Sequence, residues 1–532
     1  MEKLNEHIKS RLQSLKDYRK DLEPFWKKLA EMCSFSPEIW TEDKRRRRQN
    51  VFDNTPRNAL TYFSASFKSV LVPTTQRWHR LKSSKPEWEN NDAVKAYLQY
   101  ATDLLFRVRY APSSNFASES DVLFNQLGIY GTGYWSVEEN VGKGIIYRAV
   151  PANEIYIGRN PHGVLDTVYR EFKLSAKDAY ELYGDAVSDD IKKCLSKEPG
   201  RQFCFVHAVE PRKDRNPRAK DYTGMKYASY HLEVESDKVI KEGGYRTMPY
   251  MAPRFLALEG TPYGDSPGLQ AFNDILTANE MGKTILRTGQ LQANPPVLVG
   301  NTMLDSGKLG QAGAIIRGGM DNQGRPVAAS MQYGNNLAIT LEMQQDVRAS
   351  INQAFLIPLF QALTQDKEMT ATEVEKREVE KAMLLAPMCE RIAAEWLYPM
   401  ITRELDILSQ YGLLDGVPDE LLEDGSIAIE FENPAVHMQE SSRILGLYKT
   451  IEATMTMAQA DPSSLDILNF PEALRQIADY YDVDVAAIRS RDEVAALGQQ
   501  RAQAQAAENL LNASEVVTKS MKNLKGTGFG WA

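Results

Sequence analysis

Between Ser266 and Thr372 the sequence spells two long helices whose connection is far too long for a hairpin turn. Asp265-Ser266-Pro267-Gly268 opens the first, with a serine able to cap exposed helical N–H groups and a proline suited to the first turn. Helical spacing runs from Pro267 to Ala293 and stops at Asn294-Pro295-Pro296, because a proline pair cannot continue it. At 1.5 Å per residue such a helix is about 40 Å long, more than most globular domains use. The stretch that follows changes character. Gly300, Gly307, Gly310, Gly313, Gly318, Gly319 and Gly324 put seven glycines into 25 residues, against 33 in all 532. That density predicts turns, with Val297-Leu298-Val299 and Ala314-Ile315-Ile316 as short strands. Helical spacing resumes from Leu337 to Ile357. A polar loop, Gln361 to Met369, then lies between Pro358 and a capping box, Thr370-x-x-Glu373. A third helix, Thr372 to Leu408, carries Leu385, Met388, Ile392, Trp396 and Met400 on one face, with kinks expected at Pro387 and Pro399.

A chain of 532 residues is too long for one core and predicts two to four structural units. With 43% hydrophobic and 25% charged residues it can bury real cores. A net charge of −8 argues against a protein whose main task is gripping DNA, which needs a basic surface, but leaves room for a local basic patch. Met1 to His7 hold no apolar segment, so no secretory signal is expected. No run of 18 apolar residues predicts a membrane span. Cys33, Cys194, Cys204 and Cys389 lack Cys-x-x-Cys spacing and read as reduced thiols of a cytosolic product, with no zinc site.

Residues 1–33 show helical periodicity through Leu4, Ile8, Leu12, Leu15, Leu22, Phe25, Leu29 and Met32, broken near Pro24. Lys44-Arg45-Arg46-Arg47-Arg48 is a solvated charge run or a contact for phosphates or an acidic partner. Helices are expected over Asn58–Leu71, 92–110 and Phe116–Leu127. Residues 134–172 alternate apolar and polar between turn signals and predict antiparallel strands. Ser175 caps a short helix to Tyr183; residues 203–260 are strand-like again, with a basic loop at 211–220. The first half is therefore α+β. Further on, Ser426–Phe431 reads as a strand, and 438–460, 471–482 and Gln499–Ala507 as helices.

Enzyme signatures are weak. Met281-Gly282-Lys283-Thr284 has the tail of a phosphate-binding loop, but Thr277 stands where the upstream glycine belongs. His7, His79, His162, His207, His231 and His437 show no metal-ligand spacing. The expectation is a non-enzyme without cofactor or metal.

Five ordered stretches carry a resemblance. They are Phe52-Asp53-Asn54-Thr55 through Leu71-Val72-Pro73 to Trp78; Ser114-Asn115-Phe116 with Gly131-Thr132-Gly133; and Val206-His207-Ala208-Val209-Glu210-Pro211-Arg212. Gly243-Gly244-Tyr245 with Tyr263-Gly264-Asp265-Ser266-Pro267 is the fourth, and Met369-Thr370-Ala371-Thr372-Glu373-Val374 the fifth. Over roughly residues 1–435 the set resembles the portal, or head-to-tail connector, proteins of T7-like, short-tailed bacteriophages. One departure is Asn54, where that family more often has serine.

The resemblance implies a helix-rich α+β portal-type fold assembled as a ring, usually of twelve subunits, at one capsid vertex. It implies a wing over 1–266, a stem helix over 267–293, a clip over 294–336 and a second stem helix over 337–357. A tunnel loop (358–371), a long kinked helix with a return strand of the wing (372–437), and a helical crown with a C-terminal tail (438–532) complete it. Implied partners are further copies of the chain, double-stranded DNA, the terminase large subunit, a tail adaptor, and capsid and scaffolding proteins, without membrane insertion. The protein would be made in the bacterial host cytoplasm and act in the virion. By the same resemblance Gln361, Thr364, Gln365, Asp366, Lys367 and Glu368 form the loop that touches DNA, and Glu280, Lys283 and Arg287 line the channel from the stem. Asn301, Asp305, Lys308, Arg317, Asp321 and Arg325 would dock terminase and adaptor.

The residues themselves add one point. Over 267–293 and 337–357, Asp274, Glu280, Glu342 and Asp346 face Lys283, Arg287 and Arg348, a net −1. Phosphate grip comes from many bases neutralised together, so these helices should hold DNA weakly, as a conduit needs. A tail or collar protein without a DNA channel, and a metal-dependent nucleic-acid-processing enzyme, stand as alternatives.

Overall fold

The computed structural model describes residues 2–33, 50–293, 297–299, 317–330, 337–364, 384–421, 427–431, 434–459 and 461–507, apart from isolated positions within them. The chain divides into two units: Met1–Trp78 with Leu105–Asp415 and Asn433–Ala435, and His79–Leu104 with Gly416–Glu432 and Val436–Ala532. In chain order come α1 (Glu2–Arg19), α2 (Glu23–Met32), α3 (Thr55–Leu71), β1 (His79–Ser83), α4 (Asp92–Arg109) and α5 (Phe116–Tyr130). Strands β2 (Trp135–Asn140), β3 (Gly144–Ala149), β4 (Ile155–Arg159) and β5 (Leu165–Ser175) lead to α6 (Ala176–Tyr183) and α7 (Asp189–Lys197). Then follow β6 (Gln202–Pro211), β7 (Tyr227–Glu233), β8 (Lys238–Tyr245), β9 (Tyr250–Met251), β10 (Leu256–Ala257) and β11 (Gly264–Asp265). The central stretch is α8 (Pro267–Gln270), α9 (Phe272–Ala293), β12 (Val297–Val299), β13 (Ala328–Ser330), α10 (Leu337–Ala354) and α11 (Ile357–Thr364).

The largest sheet of the first unit is a meander, β4-β5-β6-β7-β8, antiparallel throughout. Alternate residues of a strand face opposite ways, and both faces here are covered. Val206 and Ala208 pack with Tyr169 and Leu232 against Ile8, Leu12 and Leu15, the periodic stripe of α1. Phe203 and Phe205 point the other way, onto Ala176 and Ala179 of α6 and Ile191 of α7. Ser175 caps α6 as expected, accepting from the Asp178 N–H. The helix α7 was not expected from the sequence; it lies in a short, mostly charged stretch, and Ile191 is its one buried residue.

On the α6 side, His207 and His231 sit opposite each other across β6 and β7. Their rings stack with centroids 4.1 Å apart. The Tyr250 and Ser229 hydroxyls meet the two nitrogens of His207, and the Tyr183 hydroxyl meets His231. Burial, with the nearby charges of Lys241 and Arg170, pushes His231 down to about 4. Burial depresses His207 further, helped by its neighbour ring.

A second sheet, β3-β2-β9, joins Trp135 to an aromatic core with Phe116, Tyr147 and Trp396. Arg109 and Glu404 form an ion pair with no exposed surface on either side chain, and the Tyr147 hydroxyl donates to the same carboxylate. A fully buried pair of this kind holds two distant segments in register, because removing either partner strands the other charge. Glu395, in a π-helical turn over Ala393–Leu397, accepts from both Arg254 and Arg159. That wider turn immediately precedes the helix Tyr398–Gln410, so the kink expected at Pro399 is taken up by π geometry.

Helix α5 extends to Tyr130, three residues beyond the expected end. It closes at Gly131, whose φ of +70° suits glycine and where a Cβ would lie 2.3 Å from the Gly264 carbonyl oxygen. In the second unit β1 pairs antiparallel with Ile427–Phe431, where Arg80 and Lys82 share Glu430. Helices over Pro434–Ala458, Phe470–Tyr480 and 493–507 follow.

Candidate functional site at the helix pair

The first long helix is broken. Ser266 caps α8 by accepting from the Leu269 N–H, and its hydroxyl donates to the Ile129 carbonyl of α5. Gly268 approaches the Gly128 carbonyl so closely that a Cβ would lie 3.0 Å from it. The first turn is therefore pinned to α5, and the chain re-aims at Ala271 before α9 begins at Phe272.

The second long helix also ends early. Pro358 has no N–H for the Ala354 carbonyl, and its ring would collide with that carbonyl in a continuous helix. The chain turns at Phe355-Leu356, with Leu356 at a φ of +59°, and restarts as α11. Gln361 and Thr364, expected in a polar loop, lie on α11 instead. Phe355 and Phe360 flank the bend and stack edge-on against Phe63 and Phe67 of α3.

α9 and α10 run antiparallel. Ser350, late in α10, donates to Asp274, early in α9. A strap of residues 50–53 ties both helices to α3. Asn279 of α9 accepts from the Phe52 N–H at 2.7 Å and donates to the Asn50 carbonyl at 3.0 Å. Gly282 lets the strap approach, since a Cβ there would lie 2.9 Å from the Phe52 carbonyl oxygen. Asp53 is almost fully buried and accepts from the Thr55 N–H, the Arg348 Nε and the Gln344 amide. Burial pushes its carboxyl up, but the bonds from Thr55 and Arg348 outweigh that and hold it below the ordinary carboxylate range. The sequence flagged Phe52-Asp53-Asn54-Thr55, but its partners Asn279, Gln344 and Arg348 went unseen.

Away from those contacts the surface of the pair is open. Glu280, Lys283 and Arg287 are exposed on α9, as are Glu342 and Asp346 on α10. Lys283 lies 3.7 Å from Glu280, a loose surface pair. Leu276, Thr277, Glu280, Met281 and Thr284 line a shallow trough of about 390 Å³. Met281-Gly282-Lys283-Thr284 is continuous α-helix, so it forms no phosphate-cradling loop.

Between the helices, β12 and β13 pair antiparallel. Arg317, Asp321 and Arg325 are exposed. Asp321 and Arg325 close a turn on themselves, the Asp321 carboxylate accepting from the Arg325 N–H. Lys44, Arg45, Arg46, Arg47 and Arg48, then Asn301, Asp305 and Lys308, and Gln365, Asp366, Lys367 and Glu368 lie outside the described residues. Among the described residues, no three His, Cys, Asp or Glu side chains come together as a metal site. Among them also, no helix is long and apolar enough to cross a membrane.

A family model described as bacteriophage head to tail connecting protein matches residues 5–488. A probable portal protein of Bordetella phage BPP-1 is 27% identical over 526 residues, covering 94% of this chain and 92% of its own length. A portal protein of Salmonella phage epsilon15 is 25% identical over 521 residues, with the same shares covered. Among solved structures, a chain from the neck of an empty GTA particle computed with C6 symmetry is 12% identical, with a TM-score of 0.34. That likeness covers 73% of this chain and 88% of the other.

Proposed function

The chain belongs to the family of bacteriophage head to tail connecting proteins, and on that premise we propose that its copies close into a ring at one capsid vertex. Double-stranded DNA enters through the ring during packaging and leaves through it at ejection. The observation that carries this reading is the one-sided anchoring of α9 and α10. One side of the pair is tied to α3 through Asn279, Gln344 and Arg348. The other side is open and carries Thr277, Thr284 and Asp346, all exposed. Such a surface neutralises few phosphates and lets a duplex slide.

On this reading the ring has twelve copies, α9 and α10 form its stem, and β12–β13 with Arg317, Asp321 and Arg325 form the clip. The clip docks the terminase large subunit and afterwards a tail adaptor, with capsid and scaffolding proteins around the ring. Gln365 to Glu368 form the loop that touches DNA. The chain is made in the host cytoplasm and hydrolyses nothing; the partner ATPase drives packaging. Native mass spectrometry and negative-stain images of the purified full chain test the reading. A closed ring with a central hole wide enough for a duplex is expected, and solitary particles or assemblies without an opening refute it.

A further inference from the structure

We propose that the flank of α9 turned away from α10 seats α10 of the next copy in the ring, with Lys283 and Arg287 meeting Glu342. The proposal rests on the ring reading above and says which surfaces close it. Asp274, which bonds α10, marks the side of α9 facing its own partner, with Ala278 and Ile285 four and eleven residues further along that side. Leu276, Lys283 and Arg287 lie about half a turn away from it. They form an outward row in which Leu276 lines the open trough and both bases are exposed. On α10, Ser350 marks the side facing α9. Leu341 and Ala349 lie on its other flank, Glu342 stands at the edge of that flank, and all three are exposed.

Height decides which residues meet. Counting along both helices from the Asp274–Ser350 contact, Lys283 lies level with Leu341 and Glu342, and Leu276 lies level with Ala349. Rotation about an axis that runs along the helices preserves height. So the α9 flank of one copy meets the α10 flank of the next at these levels. The contact is heterologous, one surface against a different one, which is the kind that closes rings. Its charges are complementary, bases on α9 against an acid on α10. Among the described residues, Glu342 has no ion pair within its own chain. This takes Lys283 and Arg287 away from the duplex. The face left for DNA, opposite α3, then carries Thr277, Thr284 and Asp346, without a base.

A charge swap in the full-length chain tests the pairing. Lys283→Glu and Glu342→Lys are made singly and together, and assembly is followed by sedimentation and native mass spectrometry over a range of concentrations. Both side chains are exposed, so each variant should keep the wild-type melting temperature at concentrations where the chains are unassembled. Each single change is expected to raise the concentration for half-assembly by about tenfold or more, since it is repeated at every contact of the ring. The double swap is expected to bring it back close to wild type. Singles that assemble like wild type, or a double no better than the worse single, overturn the proposal while leaving the ring intact. A wild-type chain that stays monomeric overturns the ring reading itself, and this contact with it.

Discussion

The five-stranded sheet and the α9–α10 pair obey opposite rules. The sheet is covered on both faces, by α1 on one side and by α6 and α7 on the other, and its core is complete within one chain. The helix pair is covered on one side only, where Ile275, Ala278 and Ile351 are buried and polar contacts stand beside them: Asn279 to the strap, Gln344 and Arg348 to Asp53. Burying apolar area gives a sheet large, non-directional stability. A few hydrogen bonds add less energy but fix orientation. The sheet is therefore built to persist by itself, and the helix pair is built to be aimed.

Three measurements would break or sharpen that contrast. Phe205 is fully buried beneath α6 and α7, so Phe205→Ala should cost about 3–5 kcal/mol of unfolding free energy. Chemical denaturation reads the loss, and a change below 1 kcal/mol would mean the sheet core is not the stabilising centre. The second measurement is pH. Both His207 and His231 are held neutral below their ordinary range. The unfolded chain takes up protons near pH 6.5 and the folded sheet does not, so stability falls as the pH drops from about 6.5 towards 4. For His231 alone the loss is on the order of 3 kcal/mol at the acid end. Asp53 titrates lower, and the stability it gives the helix pair is present above about pH 3.9 and lost only as its depressed folded value is crossed. Hydrogen exchange should thus show β6 and β7 loosening before α9 and α10 on acidification; the reverse order would undo the comparison. The smallest effect is Asp53→Ala, which leaves the Thr55 N–H and Arg348 without their acceptor and should cost about 1–3 kcal/mol. Its signature is faster exchange in α10 and the start of α3, with the sheet unchanged.

What was legible in the sequence was local. The stripe Ile8, Leu12, Leu15 announced α1, and Ser175 and Ser266 announced helix starts because capping needs only a neighbour three residues on. The helix pair was legible as spacing, but its two breaks were not. Ala271 breaks because α8 is pinned to α5, a contact made across more than a hundred residues. The break at Leu356 follows from Pro358, whose effect falls two residues before the proline itself. The clamp on Asp53 lay beyond reach, because no local pattern says that its acceptor oxygens will find Gln344 and Arg348 nearly 300 residues away. Phe52 to Thr55 stood out in the sequence as a motif, and the structure shows that it clamps both helices.

The meander order of the sheet has a temporal consequence. Every strand from β4 to β8 bonds its neighbour in sequence, so the strand pairing is complete by Tyr245 and can form while the rest of the chain is still being synthesised. Asp53 must wait for Arg348, 295 residues later, before α10 is locked. A nascent chain thus carries a paired sheet and an unaimed rod, and the rod is set last.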